Sequence, residues 1–179
     1  MRRSLDRRLE TCTPMCARKI TGTGGKDKTA VMGILERGKD GKASQMRTTV
    51  IPNRRKKAIQ GEVRQHVEAG SALYTDALKS YEGLDEFEHQ VVDHAVEHVR
   101  DKVHTSGCEN FWSLTKRMLN GTYVSVEPFH LFRYLDEQSY RFNNRKLTDA
   151  ERFDIAVRGI VGKRLTFDQL TGKNAEVPA

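Results

Sequence analysis

The sequence predicts an α/β domain, and three observations carry the prediction. Short apolar runs closed by turn residues alternate with segments of helical spacing. Their order is strands, helix, strand, a mixed segment and then helices, the pattern of a sheet covered by helices. The apolar residues, 37% of the chain, fall in blocks rather than being scattered, which suffices for one core. At 179 residues the chain fits one ordinary domain with a tail.

Taken in order, MRRSLDRRLETCTPMCARK (1–19) shows neither clean alternation nor a helical stripe. TGTGGKDKT (21–29) is a basic, Gly-rich connector. The Gly-x-x-x-x-Gly-Lys-Ser/Thr order of a phosphate-binding loop is absent, so it reads as a turn entering a strand. AVMGILERG (30–38) is a short apolar run closed by Gly, a buried strand, and KASQMRTTVIP (42–52) is its hairpin partner across KDG. NRRKKAIQGEVRQHVEAG (53–70) is helical, with Ala58, Ile59, Val63 and Val67 on one face and Gly70 closing the end. SALYTDA (71–77) is a third strand ending at Asp76.

HQVVDHAVEHV (89–99) is apolar at 91, 92, 95, 96 and 99, compatible with a strand entering a short helix. From Cys108 the pattern is helical: CENFWSLTKRML, then SVEPFHLFRYLDEQSYRFNNR with Phe129, Phe132, Tyr140 and Phe142. Pro128 sits near the start of that second helix, where proline is tolerated. LTDAERFDIAVRGIVGK (147–163) is a last amphipathic helix, capped by Thr148 with Glu151 three residues on. There is no internal repeat and no low-complexity segment.

Composition narrows the function. Lys and Arg number 31 against 24 acids, a net charge of +7, which favours polyanionic partners because each cation that neutralises a phosphate releases counterions. The plainer reading is that the excess serves solubility. No apolar run approaches the ~18 residues of a membrane span, and the N-terminus lacks a signal peptide's apolar segment. A soluble, cytoplasmic protein is expected. Cys12, Cys16 and Cys108 lack the two close pairs of a zinc ribbon and read as free thiols.

The residues that could do chemistry are Asp76, Glu109, Lys116, Trp112 and His104. Asp76 ends a strand, where the edge of an α/β sheet commonly hosts a site. Glu109 opens a helix 33 residues later. Two carboxylates on separate elements could converge on Mg²⁺, which takes hard oxygen ligands and keeps positions for phosphate oxygens. Lys116 follows Glu109 by seven residues, two helical turns, so both point the same way. Each also has an ordinary structural reading: Asp76 as a turn residue, Glu109 as a partner of the helix dipole, Trp112 as a core anchor, His104 as a loop hydrogen-bonder. Asp93, His94, Glu97 and His98 repeat at i, i+4 and read as a solvated face rather than a zinc site.

As strings the residues say more. ITGTGGKDKTAVMGILERG, YTDALKSYEGL and VHTSGCENFWSLTKRMLNGTYVSVEPFHLFRYLDEQSYRFNNR closely resemble the catalytic domain of ISXO-like insertion-sequence transposases, from about Ala17 to Lys173. The resemblance implies the DDE class and an RNase H-like mixed sheet flanked by helices. It implies DNA transposition by metal-dependent strand cleavage and transfer, with Mg²⁺ or Mn²⁺ as cofactor. Transposon-end and target DNA are the implied partners, with a homo-oligomer compatible and a membrane excluded. Asp76 then corresponds to the second catalytic carboxylate and metal ligand, Glu109 to the third, Lys116 to a DNA phosphate contact and His104 to an accessory. Ser106 departs from the family's usual His-Thr-Asn.

The resemblance also exposes a gap. The family's first aspartate lies in a motif like Val-Asp-Glu-Thr-Phe-Ile-Gly upstream of TGTGGKDKTA, and no such motif exists here. Asp6, the only Asp before Asp27, has Arg-rich neighbours unlike a central strand. The codons GAT GAG ACG TTC ATT GGA encode Asp-Glu-Thr-Phe-Ile-Gly. One nucleotide later they read ATG AGA CGT TCA TTG GAN: Met-Arg-Arg-Ser-Leu, then Asp if the last base is a pyrimidine, which is residues 1–6. The expectation is a segment 1–16 in the wrong frame, a transposase domain over 17–146 and a C-terminal helix and tail over 147–179. The upstream DNA-binding or zinc-ribbon region of relatives would be lost as well. Such a chain would lack its first central strand, leave a sheet edge unpaired and be catalytically defective. Two rival expectations are a non-catalytic DNA-binding fragment that interferes with a full-length transposase, and an unrelated basic α/β nuclease.

Overall fold

The apolar run at 30–38 forms β2 (Ala30–Glu36), buried at every position from Val31 to Leu35. The computed structural model describes residues 8–12, 29–38, 42–76, 78–92, 106–123 and 126–172. The chain divides into two compact units, Met1–Asn143 and Asn144–Ala179. In the first, β2 pairs antiparallel with β3 (Gln45–Ile51), in register from Ala30↔Ile51 to Glu36↔Gln45. That is the hairpin the sequence predicts. β3 is an edge strand and buries only Met46 and Ile51 fully.

The expected missing central strand is corrected by the structure. A strand β1 (Arg8–Cys12) lies antiparallel to β2, from Leu9↔Glu36 to Cys12↔Gly33, and parallel to β4 (Ala72–Asp76), from Arg8↔Ala72 to Thr11↔Thr75. With β5 (Glu88–Val92) parallel to β4, the sheet order is β3-β2-β1-β4-β5. The physical reason is backbone demand. β2 and β4 are covered on both faces, so the facing N–H and C=O groups of each need a partner, and leaving them unpaired costs more than an imperfect side-chain pattern. Arg-Leu-Glu-Thr-Cys lacks the continuous apolar run that marks a central strand, so pattern reading passes over it.

Helices cover both faces. α1 (Lys56–His66) packs Ile59 and Val63, with Val67 beyond its end, against Met32, Ile34, Ile51 and Leu73. The helix stops at His66; Gly70, at φ 80°, lies four residues on, in the turn before β4 rather than at the helix end. The buried Gln60 amide donates to Ser80 O at 3.3 Å and Glu82 O at 2.7 Å, which satisfies a polar group the core would otherwise penalise. On the opposite face, α2 (Ser106–Arg117) and α3 (Leu131–Asn143) bring Cys108, Phe111, Trp112, Leu131, Leu135 and Phe142 onto Val31, Leu35 and Met46. Phe111 meets Trp112 and Phe142 edge-on, with centroids 5.2 and 5.4 Å apart. Phe129 and Phe132 stay exposed; the buried stripe of α3 is the i, i+4, i+7, i+11 row Leu131, Leu135, Gln138 and Phe142, with Ser139 beside it.

In the second unit, Thr148 and Glu151 form the expected capping box of α4 (Asp149–Arg158). This helix ends five residues short of the predicted 147–163 segment. A second capping box, Thr166 with Gln169, opens α5 (Phe167–Thr171), closed by left-handed Gly172 at φ 70°. Among the described residues no helix is long and apolar enough to cross a membrane.

Candidate functional site

β4 places Asp76. Its sequence Ala-Leu-Tyr-Thr is buried throughout and Asp76, half-buried, closes its carboxyl end. Leu73 packs with α1, so strand alternation turns Tyr74 and Asp76 to the other face, the one α2 and α3 cover. The Arg37 guanidinium lies on that face, 4.7 Å from the Tyr74 ring centroid. Oδ1 of Asp76 is shielded from solvent.

The residue beneath Asp76 is held tightly. Thr75 is 0% exposed, and its hydroxyl donates to Asp76 O at 3.1 Å while pairing with His89 Nε2 at 2.8 Å. With the hydroxyl proton given to the carbonyl, His89 donates from Nε2. Burial holds the His89 imidazole below its ordinary value of 6.5, so it is neutral near pH 7. The end of β4 is thus clamped from β5 by a neutral hydrogen bond, a link the sequence reading did not find because Thr75 and His89 are 14 residues apart.

α2 places Glu109. Cys108, Phe111, Trp112 and Thr115 form its buried side, leaving Glu109 and Lys116 exposed. Glu109 lies in the first turn and Lys116 and Arg117 in the last, both favourable to the helix dipole. Trp112 locks the helix onto the sheet: a Cβ added at Gly33 of β2 would meet its Cζ2 at 2.8 Å. Among the described residues the indole Nε1 has no hydrogen-bond partner, which fits an indole placed for packing. Cys108 is fully buried in the core beneath the helix.

After α2 the chain widens into a π-helical turn, Met118–Tyr123, which takes in the last two residues of the helical pattern at 108–119 and runs four residues past it. Tyr123 ties it to α3: its hydroxyl donates to Glu137 Oε2 at 2.6 Å, which pushes the phenol above its usual range, and its ring meets Tyr134 edge-on at 4.6 Å. Arg141 holds the same carboxylate at 2.8 and 3.0 Å.

Asp76 and Glu109 are therefore carried by elements on the same side of the sheet, with β1 between them: α2 packs across β1 and β2, and β1 lies beside β4. Asp6 and His104 lie outside the described residues, as do Asp93, His94, Glu97 and His98. Among the described residues no three His, Cys, Asp or Glu side chains gather into a metal-binding group. The central strand does carry a carboxylate position the sequence reading passed over: Glu10 is in register with Leu35 on one side and Tyr74, two residues before Asp76, on the other.

A family model described as an ISXO2-like transposase domain matches residues 15–143. A Haemophilus influenzae protein described as an uncharacterized transposase-like protein is 32% identical over 102 residues, covering 56% of this chain and 82% of the relative. No solved structure matches the chain.

Proposed function

The chain belongs to the ISXO2-like transposase domain family, and from that premise we propose that it is an insertion-sequence transposase domain of RNase H-like fold whose catalytic set lacks its first aspartate. The observation that carries this reading is the placement of Asp76 at the carboxyl end of β4, on the sheet face covered by the helix that Glu109 opens. The sheet order β3-β2-β1-β4-β5, with only β2 running against its neighbours, supports the fold assignment.

In this reading Asp76 and Glu109 would hold Mg²⁺ or Mn²⁺. Their donor chemistry fits: both offer hard carboxylate oxygens, and Mg²⁺ is usually bound through one or two carboxylates. When bound, such ions activate a water or hydroxyl and stabilise the leaving oxygen at a phosphodiester. The chain's own contributions are positional. Thr75 and His89 fix the strand end under Asp76, Trp112 fixes the helix under Glu109, and Lys116 presents a cation two turns further on for a DNA phosphate. Residues 1–16 are out of frame in this reading, and the family match opens at residue 15, close to where the frame would resume.

A strand-nicking assay on duplexes carrying element ends, with Mg²⁺ or Mn²⁺, tests the reading. The chain as it stands should not nick. A chain with the in-frame Asp-Glu-Thr-Phe-Ile-Gly opening restored should nick at the ends, and Asp76→Asn or Glu109→Gln in that background should abolish it. Cutting without regard to the ends would favour an unrelated nuclease. Nicking by the present chain that is lost on Glu10→Gln would instead give the first carboxylate role to β1.

A further inference from the structure

We propose that the cationic run Arg54-Arg55-Lys56-Lys57, at the start of α1, is a docking surface for the phosphate backbone of duplex DNA at the strand-end edge of the sheet where Asp76 closes β4, on the face opposite α2. The proposal rests on the transposase reading and says where the chain meets its substrate.

Topology puts the run at the right edge of the sheet. β3 is antiparallel to β2, β2 to β1, and β1 is parallel to β4, so β3 and β4 run the same way and end at the same edge. α1 begins just after β3 ends, at the edge where Asp76 closes β4. The segment leaving Asp76 is fastened to the run. In its short 3-10 turn, Lys79–Tyr81, the Ser80 hydroxyl donates to Arg54 O at 2.8 Å. A Cβ added at Gly83 would lie 3.2 Å from Lys56 Nζ, so the lysine stem crosses that loop.

The electrostatics of the run are the reverse of what a helix start prefers. A helix N-terminus carries partial positive charge and is stabilised by acids. α4 follows that rule, with a Thr148 cap and Asp149 and Glu151 in its first turn. α1 has no acid in its first turn and no side-chain cap at Arg55, and it opens with Lys56 and Lys57. All four side chains are exposed, and among the described residues none of them forms an ion pair. Four adjacent cations on the positive end of a dipole work against folding, and a bound polyanion relieves both repulsions at once. DNA phosphates are the polyanion the site at that edge would act on.

The test is fluorescence anisotropy of the full chain with a labelled 25-base-pair duplex of arbitrary sequence, titrated between 50 and 200 mM salt. Each cation–phosphate contact adds about 0.9 to the steepness with which log K falls against log salt. The variant Arg54→Gln, Arg55→Gln, Lys56→Gln, Lys57→Gln should lower that steepness by about 3 to 4. A control removing the same charge elsewhere, Lys146→Gln, Arg158→Gln, Lys163→Gln, Arg164→Gln, should lower it by less than 1. The patch variant should also melt no lower than the parent, because it removes repulsion at the α1 start. Parent binding with an equal slope in the patch variant would overturn the proposal and leave the DNA reading standing. Failure of the parent to bind duplex would remove both.

Discussion

Asn143, the last residue of α3, hydrogen-bonds both backbone groups of Met46 on the edge strand β3: its Oδ1 accepts from Met46 N at 2.6 Å and its Nδ2 donates to Met46 O at 3.0 Å. Met46 pairs with Leu35 of β2 on its inner side, so the amide acts as a one-residue strand on the outer side. A side-chain pair between Thr48 and Ser139, 3.2 Å apart, supports the same contact one turn back along the helix.

Replacing that amide should therefore be costly. Asn143→Ala leaves an N–H and a C=O at a buried residue without a partner, a loss of about 1–3 kcal/mol. It also opens the β3 edge to pairing with other chains. Chemical denaturation should show the destabilisation, and light scattering should show association that the parent lacks. Unchanged stability would mean that water replaces the amide fully.

Gly33 and Trp112 make a second tight pair. Because an added Cβ would meet the indole at 2.8 Å and Met46 Sδ at 3.4 Å, Gly33→Ala should cost about 1–3 kcal/mol through overpacking. Trp112→Phe in the same chain should recover part of that loss, since the smaller ring vacates the space. A denaturant series on the two single variants and the double variant measures the coupling.

His89 should make the fold acid-sensitive. Its folded-state value lies below 6.5 because burial disfavours the imidazolium, so the unfolded chain binds the proton more readily. The contribution of the neutral ring is therefore fully present above pH 6.5 and declines as pH falls through 6.5 toward the lower folded value. Unfolding free energies at pH 7.5 and 5.5 should differ more for the parent than for His89→Gln. An identical pH dependence in both would mean that the ring is not buried in solution.

Much of the fold was legible in the sequence because local pattern and tertiary role agree there. Val31–Leu35 is apolar because both its faces are covered, and Thr148 and Glu151 announce the cap they form. Asp76 and Glu109 could be located as the end of a strand and the start of a helix. β1 was not legible, since its place is set by the unpaired edges of β2 and β4 rather than by its own side chains. Nor was the Thr75–His89 clamp, which depends on β4 and β5 lying side by side. Phe129 and Phe132 show the opposite case: large aromatic residues in a helical pattern that the fold leaves at the surface.

The proposal that the first aspartate was lost through a shift of frame is tested most directly by the coding DNA. The measurement is the nucleotide sequence across the first codons and about 300 bases upstream, read in all three frames. The account predicts Asp-Glu-Thr-Phe-Ile-Gly one base away from Met1–Asp6, with a frame change before Ala17. Absence of that reading in every frame would contradict it, and Glu10 on β1 would become the residue to test as the missing carboxylate.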